Sequence, residues 1–100
     1  MSTKVARIGD RTHGTCTAHL IPITTGGTIT SGSSDVIVND KGVARLGDTV
    51  TADCGHTSVI VSANSTVVAN DKKVARIGDA VGSGPYTATI ISSSPDVHAE

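Results

Sequence analysis

Val5-Ala6-Arg7-Ile8-Gly9-Asp10 returns as Val43-Ala44-Arg45-Leu46-Gly47-Asp48 and again as Val74-Ala75-Arg76-Ile77-Gly78-Asp79. Three copies of one hexapeptide mean that the chain is built from three similar units. The copies start 38 and then 31 residues apart (5 to 43, 43 to 74), so the first unit is longer, and the extra residues fall most simply in the stretch 11–27 behind its hexapeptide. In each copy a Gly precedes the Asp, which gives the backbone the freedom to turn where a strand leaves its sheet. The Arg three residues before that Asp can pair with its carboxylate and order the turn. Arg7, Gly9, Asp10, Arg45, Gly47, Asp48, Arg76, Gly78 and Asp79 are therefore turn residues of the fold rather than a catalytic ring of charges.

Working outward, each hexapeptide is followed by a variable loop and then by a β-rich stretch ending in small residues, at 28–36, 58–67 and 89–97. Between copies lie Val38-Asn39-Asp40-Lys41 and Ala69-Asn70-Asp71-Lys72. Their Asn-Asp pairs tolerate positive φ and predict tight hairpin turns. The apolar segments are short, β-branched and broken by Gly, Ser, Asn and Asp before a helix could complete three turns. The expectation is an all-β fold without a long helix, one domain over 1–100 with repeats at about 4–40, 41–71 and 72–98.

Composition narrows the class. Hydrophobic residues make up 37% of the chain, but Phe and Trp are absent and Tyr86 is the only aromatic, so the core is expected from Val, Ile, Leu and Ala. A small domain without large aromatics buries little surface and calls for a staple, a metal or a partner. The formal net charge is −1 with basic residues scattered along the chain, which argues against nucleic acid. Apolar runs such as Val59 to Val61 are far too short for a membrane-spanning helix. The N-terminus lacks the apolar stretch of a secretory signal, so synthesis in the cytoplasm is expected. In that reducing setting two cysteines favour thiols or metal thiolates over a structural disulfide.

Apart from His98, every His and Cys follows the first or second hexapeptide: His13, Cys16 and His19, then Cys54 and His56. The third unit has none at 80–88. Such segregation is what one shared metal site would produce, since imidazole and thiolate are the donors zinc prefers and a structural site needs four. Five candidates stand for four places. Two rival readings are a Cys16–Cys54 disulfide and a Cys54–His56 nucleophile pair oriented by Asp53. His98 reads as a surface residue of the tail.

With its repeated Val-Ala-Arg-(Ile/Leu)-Gly-Asp, the His13-Gly14 pair, Cys54-Gly55-His56 and the closing Ser92-Ser93-Ser94-Pro95-Asp96-Val97, the chain resembles the PAAR-repeat family over nearly its whole length. Only the Ala-Arg half of the eponymous motif is literal here, as in Lys4-Val5-Ala6-Arg7. The resemblance implies a small conical three-repeat β-structure with pseudo-threefold symmetry and a metal-pinned apex. It further implies zinc, with iron as the alternative ion, held by His13, His19, Cys54 and His56, Cys16 being the alternate ligand. The implied partner is a trimeric spike protein, VgrG-like or the central spike of a contractile phage tail, capped by one chain per trimer and brought into transient contact with a target membrane. Three units in one chain can meet three identical subunits with similar contacts. The base on the spike is expected from 36–41, 67–72 and 90–97. The chain would then be a structural spike tip made in the cytoplasm and delivered outside the cell on a phage particle or secretion apparatus. The alternatives are an adaptor for separate effector proteins and, from another class, a small metal- or thiol-dependent hydrolase.

Overall fold

The computed structural model describes residues 3–18, 20–38, 40–63, 67–93 and 98–99. In chain order the strands are β1 (Thr3–Lys4), β2 (Arg11–Cys16), β3 (Ile23–Ile29), β4 (Ile37–Val38), β5 (Lys41–Gly42), β6 (Thr49–Ala52), β7 (Thr57–Ile60), β8 (Val68–Ala69), β9 (Lys72–Lys73), β10 (Ala80–Gly82), β11 (Tyr86–Ile90) and β12 (His98–Ala99). Among the described residues there is no helix, in keeping with short β-branched segments.

The hexapeptides meet one another. Single β-bridges join Val5 to Arg76, Arg7 to Val43 and Arg45 to Val74. Their alanines close a ring of backbone hydrogen bonds: Ala6 N–H donates to Ala75 C=O (3.0 Å), Ala75 N–H to Ala44 C=O (2.9 Å) and Ala44 N–H to Ala6 C=O (3.0 Å). Successive side chains of an extended segment leave on opposite faces, and the Val-Ala pair uses both. Ala6, Ala44 and Ala75 are fully buried in the main cluster, whereas Val5, Val43 and Val74 pack with Ala69 and Val38 in a second. Three side chains converging on one ring leave room for little beyond a methyl group.

The turn that follows is also made three times. Gly9, Gly47 and Gly78 take φ of +92°, +89° and +93° and donate their N–H groups to the carbonyls of Ile29, Ile60 and Ile90. Asp10, Asp48 and Asp79 accept the backbone N–H of Arg7, Arg45 and Arg76 at 2.7, 2.7 and 2.8 Å. The guanidinium reaches the same carboxylate in the first two units, with Nε at 3.3 Å for Arg7 and 2.9 Å for Arg45. In the third, Arg76 Nε is buried and has no partner among the described residues, so the backbone N–H is what ties Arg76 to Asp79.

The residues behind each hexapeptide were expected as loops and are strands. Arg11–Cys16, Thr49–Ala52 and Ala80–Gly82 run straight out of the ring as β2, β6 and β10. Each forms an antiparallel hairpin with β3, β7 or β11, and the six close a barrel in the order β10-β11-β2-β3-β6-β7. Thr and Gly give these segments a loop-like composition, but burial alternates with a period of two along Thr49–Ala52, the mark of a half-buried strand. The extra residues of the first unit therefore lengthen a hairpin. Its second strand, like those of the other units, starts earlier than its β-rich composition suggests and stops at Ile29, Ile60 or Ile90. Beyond these, the hydroxyls of Ser31, Ser62 and Ser92 accept the N–H of Thr49, Ala80 and Arg11 at 2.8, 2.8 and 2.7 Å, each in a neighbouring unit.

On the other side of the ring lie the expected hairpins. β4 pairs with β5, and β8 with β9 around Asn70 (φ 53°) and Asp71 (φ 65°), the conformation of a primed two-residue turn. Asp40 is likewise at φ 68°; Asn39 lies outside the described residues, as does 94–97 of the third expected base segment. β1 pairs with β12, Lys4 opposite His98, and stands before the first hexapeptide as β5 and β9 stand before the others.

The barrel interior departs from the expected Val, Ile, Leu and Ala in two respects. Leu20 and Leu46 are exposed, while Tyr86 is fully buried and is the largest interior side chain. Its hydroxyl lies 2.8 Å from Thr12 Oγ1, so the one polar atom of the ring is satisfied. Gly27 makes this possible, since a Cβ there would stand 2.9 Å from the Tyr86 ring. The molecule measures 39 × 26 × 20 Å along its principal axes.

Candidate metal centre

Because β2, β6 and β10 each leave the ring directly behind a hexapeptide, their far ends gather at the opposite end of the barrel. There Thr17 N–H donates to Pro85 C=O at 2.8 Å, joining the first unit to the third. Cys16 closes β2 with its side chain on the barrel side, on the same face as the buried Thr12. His13, one position out of phase, is exposed on the outer face.

Cys54 and His56 sit in the connection between β6 and β7. Gly55 N–H donates to Ala52 C=O (2.9 Å) and Ala52 N–H to His56 C=O (2.8 Å). Gly55 holds φ +97°, a conformation that glycine adopts without the steric cost of a Cβ. The turn is anchored sideways to the β2–β3 hairpin. Asp53 N–H donates to Gly26 C=O at 2.9 Å, and its carboxylate accepts two hydrogen bonds from the Arg11 guanidinium at 3.0 and 2.7 Å. These hydrogen bonds hold the Asp53 carboxyl below the usual carboxylate range. The Arg11–Asp53 pair thus fixes the Cys54 turn against the strand that carries Cys16.

The result is a cluster. His56 Nδ1 lies 3.4 Å from Cys16 Sγ and 3.4 Å from Cys54 Sγ, and the three donor atoms all lie within 4.8 Å of one another. Around a tetrahedral zinc with ordinary Zn–S and Zn–N bonds, a sulfur and a nitrogen stand about 3.6 Å apart and two sulfurs about 3.8 Å. The donor set fits a thiophilic divalent cation in both chemistry and spacing, and Cys16, Cys54 and His56 could hold one. Burial pushes the Cys16 thiol up; a bound cation would act in the opposite sense by favouring thiolate. An ion here would join the end of one barrel hairpin to the turn of the next.

The structure therefore brings together Cys54 and His56 with the alternate Cys16. It does not bring His13 to them, because the two-residue period of β2 sends His13 and Cys16 to opposite faces. His19 lies outside the described residues. The backbone of His98 belongs to β12 on the ring side. Asp53, the orienting group in the nucleophile reading, gives its carboxylate to Arg11 instead. Arg11 carries no sequence signal of its own; its role emerges only from the pairing of β3 with β6.

The fold and the cluster define a small all-β protein with a candidate structural metal centre at one end of its barrel. Compared with known families, the chain matches the PAAR motif over residues 21–92, well over half its length, and it belongs to the PAAR motif family. No curated protein matches it significantly. The family is structural rather than catalytic, and membership supports in general a spike-tip role of the kind used in type VI secretion.

Proposed function

We propose that this chain caps a trimeric spike of a contractile injection machine, one chain per trimer, with its ring side on the spike and its barrel end leading. The observation that supports this reading is the closed alanine ring: one chain makes the same backbone contact three times within one ring. Such an arrangement can meet three identical subunits with three similar surfaces. The hairpins below the ring supply apolar contacts, since Ile37 and Val68, on equivalent hairpins, are 54% and 55% exposed. Exposed apolar groups of this kind are what a docking base needs.

At the leading end the ion is zinc, with iron as the alternative, bound by Cys16, Cys54 and His56. His19 is the proposed fourth ligand, and His13 of the sequence-based set gives way to Cys16 for the strand-parity reason above. With four protein ligands no place remains for a reacting water, so the metal stiffens the tip rather than catalysing. The protein is made in the cytoplasm and leaves it on the machine. The test is substitution at either end. Ile37→Asp with Val68→Asp is expected to abolish binding to the cognate spike while leaving metal content intact; loss of binding on changing the barrel end alone would mean the orientation is inverted.

A further inference from the structure

We infer that Cys16 and Cys54 form an oxidant-closed cross-link site, in which the two sulfurs that share a metal in reducing surroundings become a disulfide when the metal is lost in oxidising ones. Both cysteines are in the thiol state rather than joined as a disulfide. Their sulfurs lie within 4.8 Å of each other, so closure to the ordinary S–S length of about 2.05 Å needs only a local shift. Cys54 is placed to make that shift, because it sits in a turn next to Gly55 rather than within a strand. The inference concerns these side chains alone and does not depend on the spike-capping role.

The oxidant is a small-molecule disulfide such as oxidised glutathione. Cys54, partly exposed, attacks first; Cys16 is fully buried and cannot meet the reagent. The Cys54 thiolate displaces one glutathione thiolate and forms a mixed disulfide, the Cys54 proton ending on the departing thiolate. The Cys16 sulfur then attacks Cys54 Sγ and expels the second glutathione as a thiolate, which takes up the Cys16 proton. Two protein thiols are oxidised to one disulfide and one glutathione disulfide is reduced to two thiols. Metal binding and cross-linking exclude each other, since both use the same sulfur electron pairs. Either one ties β2 to the β6–β7 turn, so the barrel end stays pinned in both environments.

The test treats the full chain, stripped of metal with a chelator, with oxidised glutathione and follows intact mass, free thiols and a peptide map. The expected result is the loss of two hydrogens per chain, no titratable thiol and a Cys16–Cys54 linked peptide, with a higher melting temperature than the reduced, metal-free chain. Zinc-loaded protein should resist the same treatment. Closure should be at least tenfold faster in native buffer than in denaturant, which separates a built site from chance encounter in an unfolded chain. Cys16→Ser should stop at a persistent glutathione adduct on Cys54. Equal rates with and without denaturant, persistent adducts on the wild-type chain, or intermolecular dimers as the only product would overturn the inference.

Discussion

Cys16 Sγ and His56 Nδ1 stand 3.4 Å apart although 40 residues separate them in the chain. The contact exists because β2 and β6 both leave the alanine ring in one direction and the Arg11–Asp53 pair then draws the β6–β7 turn onto the β2–β3 hairpin. Cys16→Ser, Cys54→Ala and His56→Ala are each expected to lower the metal-to-chain ratio, read by elemental analysis. The melting temperature should fall with it, by about 10 °C or more if the bound metal supplies 2–3 kcal/mol to a domain of this size. His19→Ala should behave in the same way.

His13→Ala and His98→Ala should change neither metal content nor melting. His13 is exposed on the outer face of β2, and His98 belongs to a strand on the ring side. Loss of metal from His13→Ala would show that the strand parity used to exchange His13 for Cys16 is wrong.

How much of this was legible in the sequence depended on the residue type. Val-Ala-Arg-(Ile/Leu)-Gly-Asp announced a threefold repeat, and Asn70-Asp71 announced its hairpin, because positive φ is a local property of those residues. The barrel strands were not legible. Arg-Thr-His-Gly-Thr-Cys has the composition of a loop and is held as a strand by its neighbours β3 and β11, which only the closed topology provides. The candidate donor cluster was obscured for the same reason: with 11–16 as a strand, Cys16 shares the buried face with Thr12 and His13 lies on the exposed one. The core was expected from Val, Ile, Leu and Ala, yet Gly27 and Thr12 together make a place in it for Tyr86.

The alanine ring should tolerate little added volume. Ala44→Val places two further carbons where Ala6, Ala44 and Ala75 converge without solvent exposure, and overpacking of this kind costs about 1–3 kcal/mol. Urea unfolding should show the loss as a lower midpoint, with metal content retained in the folded fraction. An unchanged midpoint would mean that the ring has room to spare.

Two carboxylates should respond to substitution in the same direction but to very different extents. Asp48 is buried and takes hydrogen bonds from the Arg45 N–H, Nε and Nη2 and from Ser31, so Asp48→Ala, which leaves the Arg45 charge unpaired, should cost about 3 kcal/mol. Asp53 pairs with Arg11 in the open, and Asp53→Asn should lower the melting temperature only slightly. The sign of its pH dependence follows from the Arg11 hydrogen bonds, which hold the folded-state carboxyl below its ordinary unfolded-state value. The contribution is present above that value and is lost as the pH falls through the lower folded-state one, so the wild type and Asp53→Asn should converge in strong acid. A gap that widened as the pH fell would contradict the assignment.

The most direct test of the account is the mass of the complex with the cognate trimeric spike, measured by light scattering coupled to size-exclusion chromatography. The proposed capping role, built on three similar hexapeptides closing one ring within a single chain, predicts a monomer when free and one chain for every three spike subunits when bound. That stoichiometry, with the barrel-end metal retained, is the expected result. A stable homotrimer of the free chain, or three chains on each spike trimer, would contradict the claim that this protein brings the threefold match within itself.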